Sequence, residues 1–221
     1  MADVIRIGAF FDGTGNNMWN DLAIGDKSET NVAKIYKMYA QQAKDNPGYY
    51  AKPLYVEGVG TEKYREGQPT LTSAEVKEIQ DALKSRNDFY SSYNMAFGDE
   101  AKSKVNRMLE MVKNEIKKNP DAQIIVDVYG FSRGATEARD FINEFNSLYA
   151  NVNKGSAIGF VGLFDTVSSL GFANSINIGF NLNLNDASAA KIVQIDAANE
   201  MRANFPLELL NNPHSKPRIA A

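Results

Sequence analysis

The chain has 221 residues, 43% of them hydrophobic and 23% charged, the proportions of a water-soluble globule with length for one substantial core, which excludes wholesale disorder. With 24 Lys+Arg against 27 Asp+Glu, net −3, it is not a strongly basic nucleic-acid protein. No cysteine and a single histidine exclude disulfides, cysteine nucleophiles and multi-histidine metal sites.

The first residues, Met1 to Phe10, lack the basic, apolar and small-residue regions of a signal peptide, and no run reaches the roughly 18 apolar residues of a membrane span. A soluble cytoplasmic chain is expected, with export by a machine that needs no signal peptide left open. Val4 to Phe11 reads as a buried strand, stopped by the turn Asp12-Gly13-Thr14-Gly15-Asn16-Asn17. Thr30 or Asn31 is placed to cap a helix carrying Val32, Ile35, Tyr36 and Tyr39, which ends near Asn46-Pro47-Gly48. Leu54 to Val56 is a second short strand before Gly58-Val59-Gly60-Thr61. Residues 62–93 turn polar, with a helix from Ser73 to about Lys84, and read as an insertion within a single domain spanning 1–221.

Asp99 to Lys118 is amphipathic, with Val105, Met108, Leu109, Val112 and Ile116 on one face of a 3.6-residue period. Asn119-Pro120 ends it. Gln123 to Tyr129 is a β-branched run, followed by a glycine-flanked serine and a second helical pattern to about Tyr149. Ser156 to Phe164 is another apolar strand and Lys191 to Ile195 a weaker one, while Gly171 to Asn185 reads as a long loop or flap. Strands alternating with helices predict right-handed crossovers and an α/β fold, a mainly parallel twisted sheet flanked by helices.

Gly130-Phe131-Ser132-Arg133-Gly134 fits G-x-S-x-G between a strand and a helix, the setting of a nucleophile elbow. There Ser132 is the candidate nucleophile, and the backbone N–H of Arg133 stands where an oxyanion develops. The alternative is a tight strand-to-helix turn with a capping serine. In chain order the acid follows the serine. Asp165 ends the strand from Ser156 and would orient an imidazole; the alternative is a turn-forming aspartate. Glu137 and Asp140 are expected to be solvated or paired. His214 is the one available imidazole base, in the polar Asn211-Asn212-Pro213-His214-Ser215-Lys216-Pro217; the alternative is an exposed tail histidine. The loop Asp12, Gly13, Thr14 is a candidate for the second oxyanion N–H, against a plain Gly/Asn turn. A phosphatase reading of this loop fails, because Phe10 stands where its nucleophilic aspartate belongs. No metal or organic cofactor is needed for such chemistry.

Together these residues resemble the α/β-hydrolase domain family of type VI secretion phospholipase effectors. Phe11-Asp12-Gly13-Thr14-Gly15-Asn16-Asn17 is similar to its opening motif, with Gly58-Val59-Gly60-Thr61 and Ala96-Phe97-Gly98 after it. Gly130-Phe131-Ser132-Arg133-Gly134-Ala135 with Ala138-Arg139 resembles its elbow, and Leu163-Phe164-Asp165-Thr166-Val167-Ser168-Ser169 its acid strand. Ala197-Ala198-Asn199-Glu200, Arg202 and Asn204-Phe205-Pro206-Leu207 resemble its A-A-D-E-x-R-x-N-F-P-L segment, with Asn199 in place of the aspartate. The resemblance implies an α/β-hydrolase-like fold and a serine esterase of phospholipase A type, acting on glycerophospholipid acyl esters as an antibacterial effector. It further implies secretion-apparatus and immunity partners and delivery into a target cell. The family's histidine loop, G-x-H-S-D-x-G-G-G-like, is matched here only by His214-Ser215. The alternative is therefore a truncated or catalytically impaired hydrolase-fold protein that serves as a binding or delivery module. Phe172, Ile176, Ile178 and Phe180 are candidates for an acyl channel or a peripheral membrane contact, against burial as ordinary core.

Overall fold

The computed structural model describes residues 4–61, 67–85, 98–152, 155–167, 179–197 and 210. Five strands, β1 (Val4–Phe11), β2 (Leu54–Val56), β3 (Gln123–Phe131), β4 (Ala157–Phe164) and β5 (Lys191–Ile195), pair in the order β2-β1-β3-β4-β5. Every pairing is parallel. Parallel neighbours require crossovers, and among the described residues helices occupy the connections from β1 to β4: α1 (Met18–Ile24), α2 (Asn31–Asp45), α3 (Ser73–Ser85), α4 (Gly98–Lys118) and α5 (Arg133–Tyr149).

The strand alternation of β1 sorts the two layers. Ile5, Ile7, Ala9 and Phe11 face a core shared with Val105, Met108 and Val112 of α4 and Ala138, Phe141 and Phe145 of α5. Phe10 points the other way, into Val32, Ala33, Tyr36 and Tyr39 of α2 and Tyr55 of β2, and stacks on Tyr129 with centroids 4.9 Å apart. Both faces of the sheet are thus covered, which is why the strands are apolar on both sides. Arg6 and Tyr39 meet the buried carboxylate of Asp127, at 2.5 and 3.2 Å, beside a register shift between Val126 and Asp127.

The helix stops follow the local chemistry. Thr30 caps α2 by accepting from the Ala33 N–H at 3.1 Å, and Asn46 closes it. Helix α1 was not expected from periodicity. Asn17 caps it, accepting from the N–H groups of Trp19 and Asn20, and Gly25 ends it at φ 75°. Within the expected polar insertion, α3 packs on α1, where Gln80 Nε2 donates to the Ile24 carbonyl at 2.8 Å. Residues 62–66 and 86–93 of that insertion lie outside the described residues, as do residues 171–178 of the expected flap.

Candidate active site

The register of the sheet aligns the ends of its strands. Phe11 pairs with Gly130, Phe131 with Phe164, and Phe164 with Ile195. The next residues, Asp12, Ser132, Asp165 and Asp196, therefore emerge at one edge, the carboxyl end of the sheet. In α/β folds that edge is where ligands bind.

Two of these four are held in unusual conformations. Among the described residues, the only non-glycine residues with positive φ are Lys27, Ser132 and Asp165, at 62°, 55° and 45°. Ser132 has ψ −125° and gives α5 no side-chain cap bond, so it is not the capping serine of the bland alternative. A left-handed serine between strand and helix is the geometry of a nucleophile elbow, and such strain persists only where surroundings over-determine it. The surroundings here are specific. Ser132 N donates to the Phe164 carbonyl at 2.9 Å, and the Ser132 carbonyl accepts from Val167 N at 3.2 Å. Thr136 Oγ1 adds a 2.6 Å bond to the Val167 carbonyl. The turn bearing Ser132 and the turn bearing Asp165 are thereby knitted together. The flanking glycines are sterically required: a Cβ at Gly130 would stand 2.6 Å from Cα of Ala135, and one at Gly134 would stand 2.2 Å from the Asp12 carbonyl oxygen.

Asp165 is held by its own N–H, which donates to the Ile195 carbonyl at 2.9 Å, and by Oδ1, which accepts from Ala197 N at 2.5 Å. Sequence reasoning missed its neighbour Asp196. Burial raises the Asp196 carboxyl above its ordinary value, the Asp165 charge adds to this, and bonds from Gln194 and the Thr166 N–H oppose it. Its only sequence signal was its place directly after a weak strand.

A cleft of about 500 Å³ opens at this edge. Phe131, Phe164 and Ile195 supply apolar lining, Asn16, Thr30 and Asn31 polar lining, and Glu29, Asp165 and Asp196 three acidic groups; Ser132 is not itself among the lining residues but follows Phe131 directly. Ile195 is 56% exposed.

The expected oxyanion loop needs correction at two residues. Asp12 N donates to the Val56 carbonyl at 3.0 Å, and Gly13 N to Oδ1 of Asp12 at 2.9 Å. Both amides are taken up inside the protein, so of the three loop residues Thr14 is left as the candidate donor. Arg133 opens α5, as the elbow requires. His214 lies outside the described residues.

Glu137 also departs from expectation. It is neither solvated nor paired: it is wholly buried, and neither carboxylate oxygen has a hydrogen-bond partner among the described residues. Burial drives its carboxyl well above the usual range against the pull of Lys104, with Glu100 and Glu57 adding to the rise. Nearby, burial pushes the Glu57 carboxyl up, but Arg107 and Lys104 outweigh it and hold it below its ordinary value. Asp140 is paired as expected, with Lys102 at 2.6 Å, and also accepts from Asn181 N at 2.8 Å. Among the described residues no group of three or more His, Cys, Asp or Glu is arranged to hold a metal ion, and no helix is long and apolar enough to cross a membrane.

A parallel α/β sheet with a strained serine at the strand-to-helix turn and an aspartate after the next strand defines an α/β-hydrolase-like protein. The sequence pattern of the family described as "T6SS, Phospholipase effector Tle1-like, catalytic domain" matches residues 6–148, and the chain belongs to that family. Among solved structures it is similar to one described as the Tle1 effector bound to the VgrG spike from the type 6 secretion system, with 23% identity and a TM-score of 0.46. The match covers 96% of this chain and 48% of that one, so the chain spans about half the length of that relative. No curated protein matches.

Proposed function

We propose that this chain is a lipolytic serine hydrolase that cleaves acyl esters of glycerophospholipids, as a phospholipase A of an antibacterial effector. The observation that carries the reading is the pairing of left-handed Ser132 and Asp165 at the ends of adjacent parallel strands, with the Ser132 backbone bonded on both sides of the Asp165 turn, to Phe164 and Val167.

In the mechanism, Ser132 Oγ attacks the ester carbonyl carbon while the imidazole of His214 takes its proton, and Asp165 orients that imidazole. The tetrahedral oxyanion is held by the Arg133 N–H and by Thr14. Collapse breaks the ester C–O bond, and the imidazolium protonates the departing lysophospholipid alkoxide. Water then attacks the acyl-enzyme, giving its proton to His214, and the fatty acid leaves with Ser132 restored. The apolar residues Phe131, Phe164 and Ile195 suit an acyl chain, and the polar lining around Asn16 and Asn31 suits the ester and hydroxyl oxygens of the glycerol unit. Delivery with a secretion-spike partner and neutralisation by an immunity protein belong to the same reading.

The test is covalent labelling by a fluorophosphonate together with hydrolysis of phospholipid vesicles, for wild type, Ser132→Ala and His214→Ala. Labelling and hydrolysis lost in Ser132→Ala, and hydrolysis lost in His214→Ala, uphold the dyad. Product analysis by acyl position then decides the A-type assignment. A folded wild type that neither labels nor hydrolyses refutes the enzyme and favours the binding or delivery module.

A further inference from the structure

The carboxyl of Asp12 is wholly buried. Its Oδ1 accepts from Gly13 N at 2.9 Å and Thr30 Oγ1 at 2.8 Å, and its Oδ2 from Tyr55 OH at 2.6 Å. Each partner is itself engaged elsewhere. Thr30 Oγ1 caps α2, and Tyr55 OH accepts from Met18 N, the first residue of α1, at 2.8 Å. One carboxyl therefore ties the end of β1 to β2 and to the starts of α1 and α2. Burial raises its pKa, and the bonds from Tyr55, Thr30 and Gly13 oppose that rise.

The backbone that Asp12 holds is confined on both sides. A Cβ on Gly13 would stand 2.4 Å from the Phe131 ring, and one on Gly58 would stand 1.6 Å from the Gly13 carbonyl oxygen. A Cβ on Gly134, in the first turn after the nucleophile, would stand 2.2 Å from the Asp12 carbonyl oxygen. Residues 12–16 are thus wedged between the elbow and the Gly58 turn, with Gly15 N bonded to the Val59 carbonyl and Gly58 N to the Asn16 carbonyl. Thr30, bonded to the same Oδ1 as Gly13 N, lines the cleft next to Asn31.

We infer that Asp12 is the positioning residue of this site: its carboxyl sets the placement of residues 13–16 and of Thr30 and Asn31 against Ser132, and takes no part in the chemistry. The inference rests on the hydrolase reading for its effect on rate, but its structural half stands apart from that reading. Charge on Asp12 has no open path to a substrate, since its N–H and both oxygens are spoken for. Its influence passes through Gly13, Tyr55 and Thr30.

The test uses the whole chain at a temperature well below unfolding, in four forms: wild type, Thr30→Val, Thr30→Ser and Tyr55→Phe. Two readouts are taken, the rate of fluorophosphonate labelling at Ser132 and hydrogen exchange at the Gly13, Gly15 and Asn16 amides. Thr30→Val and Tyr55→Phe are expected to slow labelling about tenfold or more, the scale of a loop misplaced by a fraction of an ångström to an ångström. They are also expected to speed exchange at those three amides about tenfold, with β3 amides unchanged. Thr30→Ser, which keeps the hydroxyl, recovers most of both losses, and Tyr55→Phe leaves the α2 cap in place, so cap loss alone cannot explain a shared result. A purely structural role lowers protection evenly and leaves labelling of the folded fraction untouched. Unchanged labelling in the folded variants, or an even change in exchange, overturns the inference. If the wild type is not labelled at all, the hydrolase reading falls, and the exchange pattern decides alone: selective loosening of residues 13–16 upholds the positioning role, and an even or absent change overturns it.

Discussion

Replacing Gly134 with alanine sets two effects of known size against each other. Gly134 is the second residue of α5, and in a helix alanine is favoured over glycine by about 0.8–1 kcal/mol. Against this, the new methyl group would lie 2.2 Å from the Asp12 carbonyl oxygen and 2.6 Å from that of Phe11. Ordinary carbon–oxygen contact lies more than about 1 Å further out. Both obstacles are backbone at the end of the central strand, so neither can swing aside as a side chain would. Overpacking of this kind costs about 1–3 kcal/mol, and with two rigid contacts the upper part of that range applies. The net expectation is a loss of about 1–2 kcal/mol, a fall in Tm of about 2–8 °C for a chain of this length. Thermal unfolding by circular dichroism measures it, with Gly48→Ala as control, because nothing stands within 4 Å of a Cβ there. On the hydrolase reading proposed above, separating the elbow from the β1 loop by about 1 Å should also slow labelling of Ser132 on the order of a hundredfold. A Tm at or above wild type would refute the close approach of α5 to β1.

Further expectations follow from the same geometry. Ser132→Gly relieves the left-handed backbone and should raise stability by about 1 kcal/mol while abolishing any labelling; a fall in Tm would show that the serine is not strained. Glu137 titrates near 4.5 when unfolded and well above that in the fold. Above about pH 4.5 the unfolded chain sheds a proton that the fold retains, so stability falls as pH rises toward the folded pKa. Glu137→Gln should remove that slope, gaining on wild type by about 1.4 kcal/mol per pH unit in this window; urea midpoints that differ by a constant amount at every pH count against it. Lys104→Met strips Glu57, whose side chain is 3% exposed, of one of its two cations. Arg107 still pairs with Glu57, so this should cost about 1–3 kcal/mol by urea unfolding, and an unchanged midpoint would count against the buried pair.

Much of the sheet was legible because its strands are short apolar runs between turn residues. β1, β2 and β5 begin and end where hydropathy says they do. The long face of α4 was equally plain. Helix α1 was not, because seven residues make barely two turns, too few to display a period; its signal was the cap Asn17 and the stop Gly25. Among the site residues, Ser132 and Asp165 stood out because each sits between a strand and a turn. The fate of the Asp12 and Gly13 amides could not be read, since one goes to Val56 on another strand and the other to a side chain folded back on its own turn. Glu137 was misjudged because a charge inside a helical pattern was expected to meet water or a counter-ion. Its whole first stretch, from Arg133 to Ile142, is buried between the sheet and α4, so a polar helical position there has no water to face. Asp196 went unseen for a simpler reason: its one local mark is a place after a weak strand, and its setting beside Asp165 comes from the strand next to it in the sheet.

The position of β1 in the sheet also bears on how the chain is made. Val4–Phe11 lies between β2 and β3, and its long partner, Gln123–Phe131, is encoded far downstream. On a ribosome adding about 5–20 residues per second, the interval between the emergence of Phe11 and that of Phe131 is on the order of ten seconds. Throughout it, an apolar β-prone octet waits without its main hydrogen-bonding partner, the condition under which nascent chains associate with one another. Slow codons placed before β3 would lengthen that exposure and faster ones would shorten it, so the yield of native protein should depend on translation speed across α3 and α4 and be relieved by chaperones that shelter the early segment.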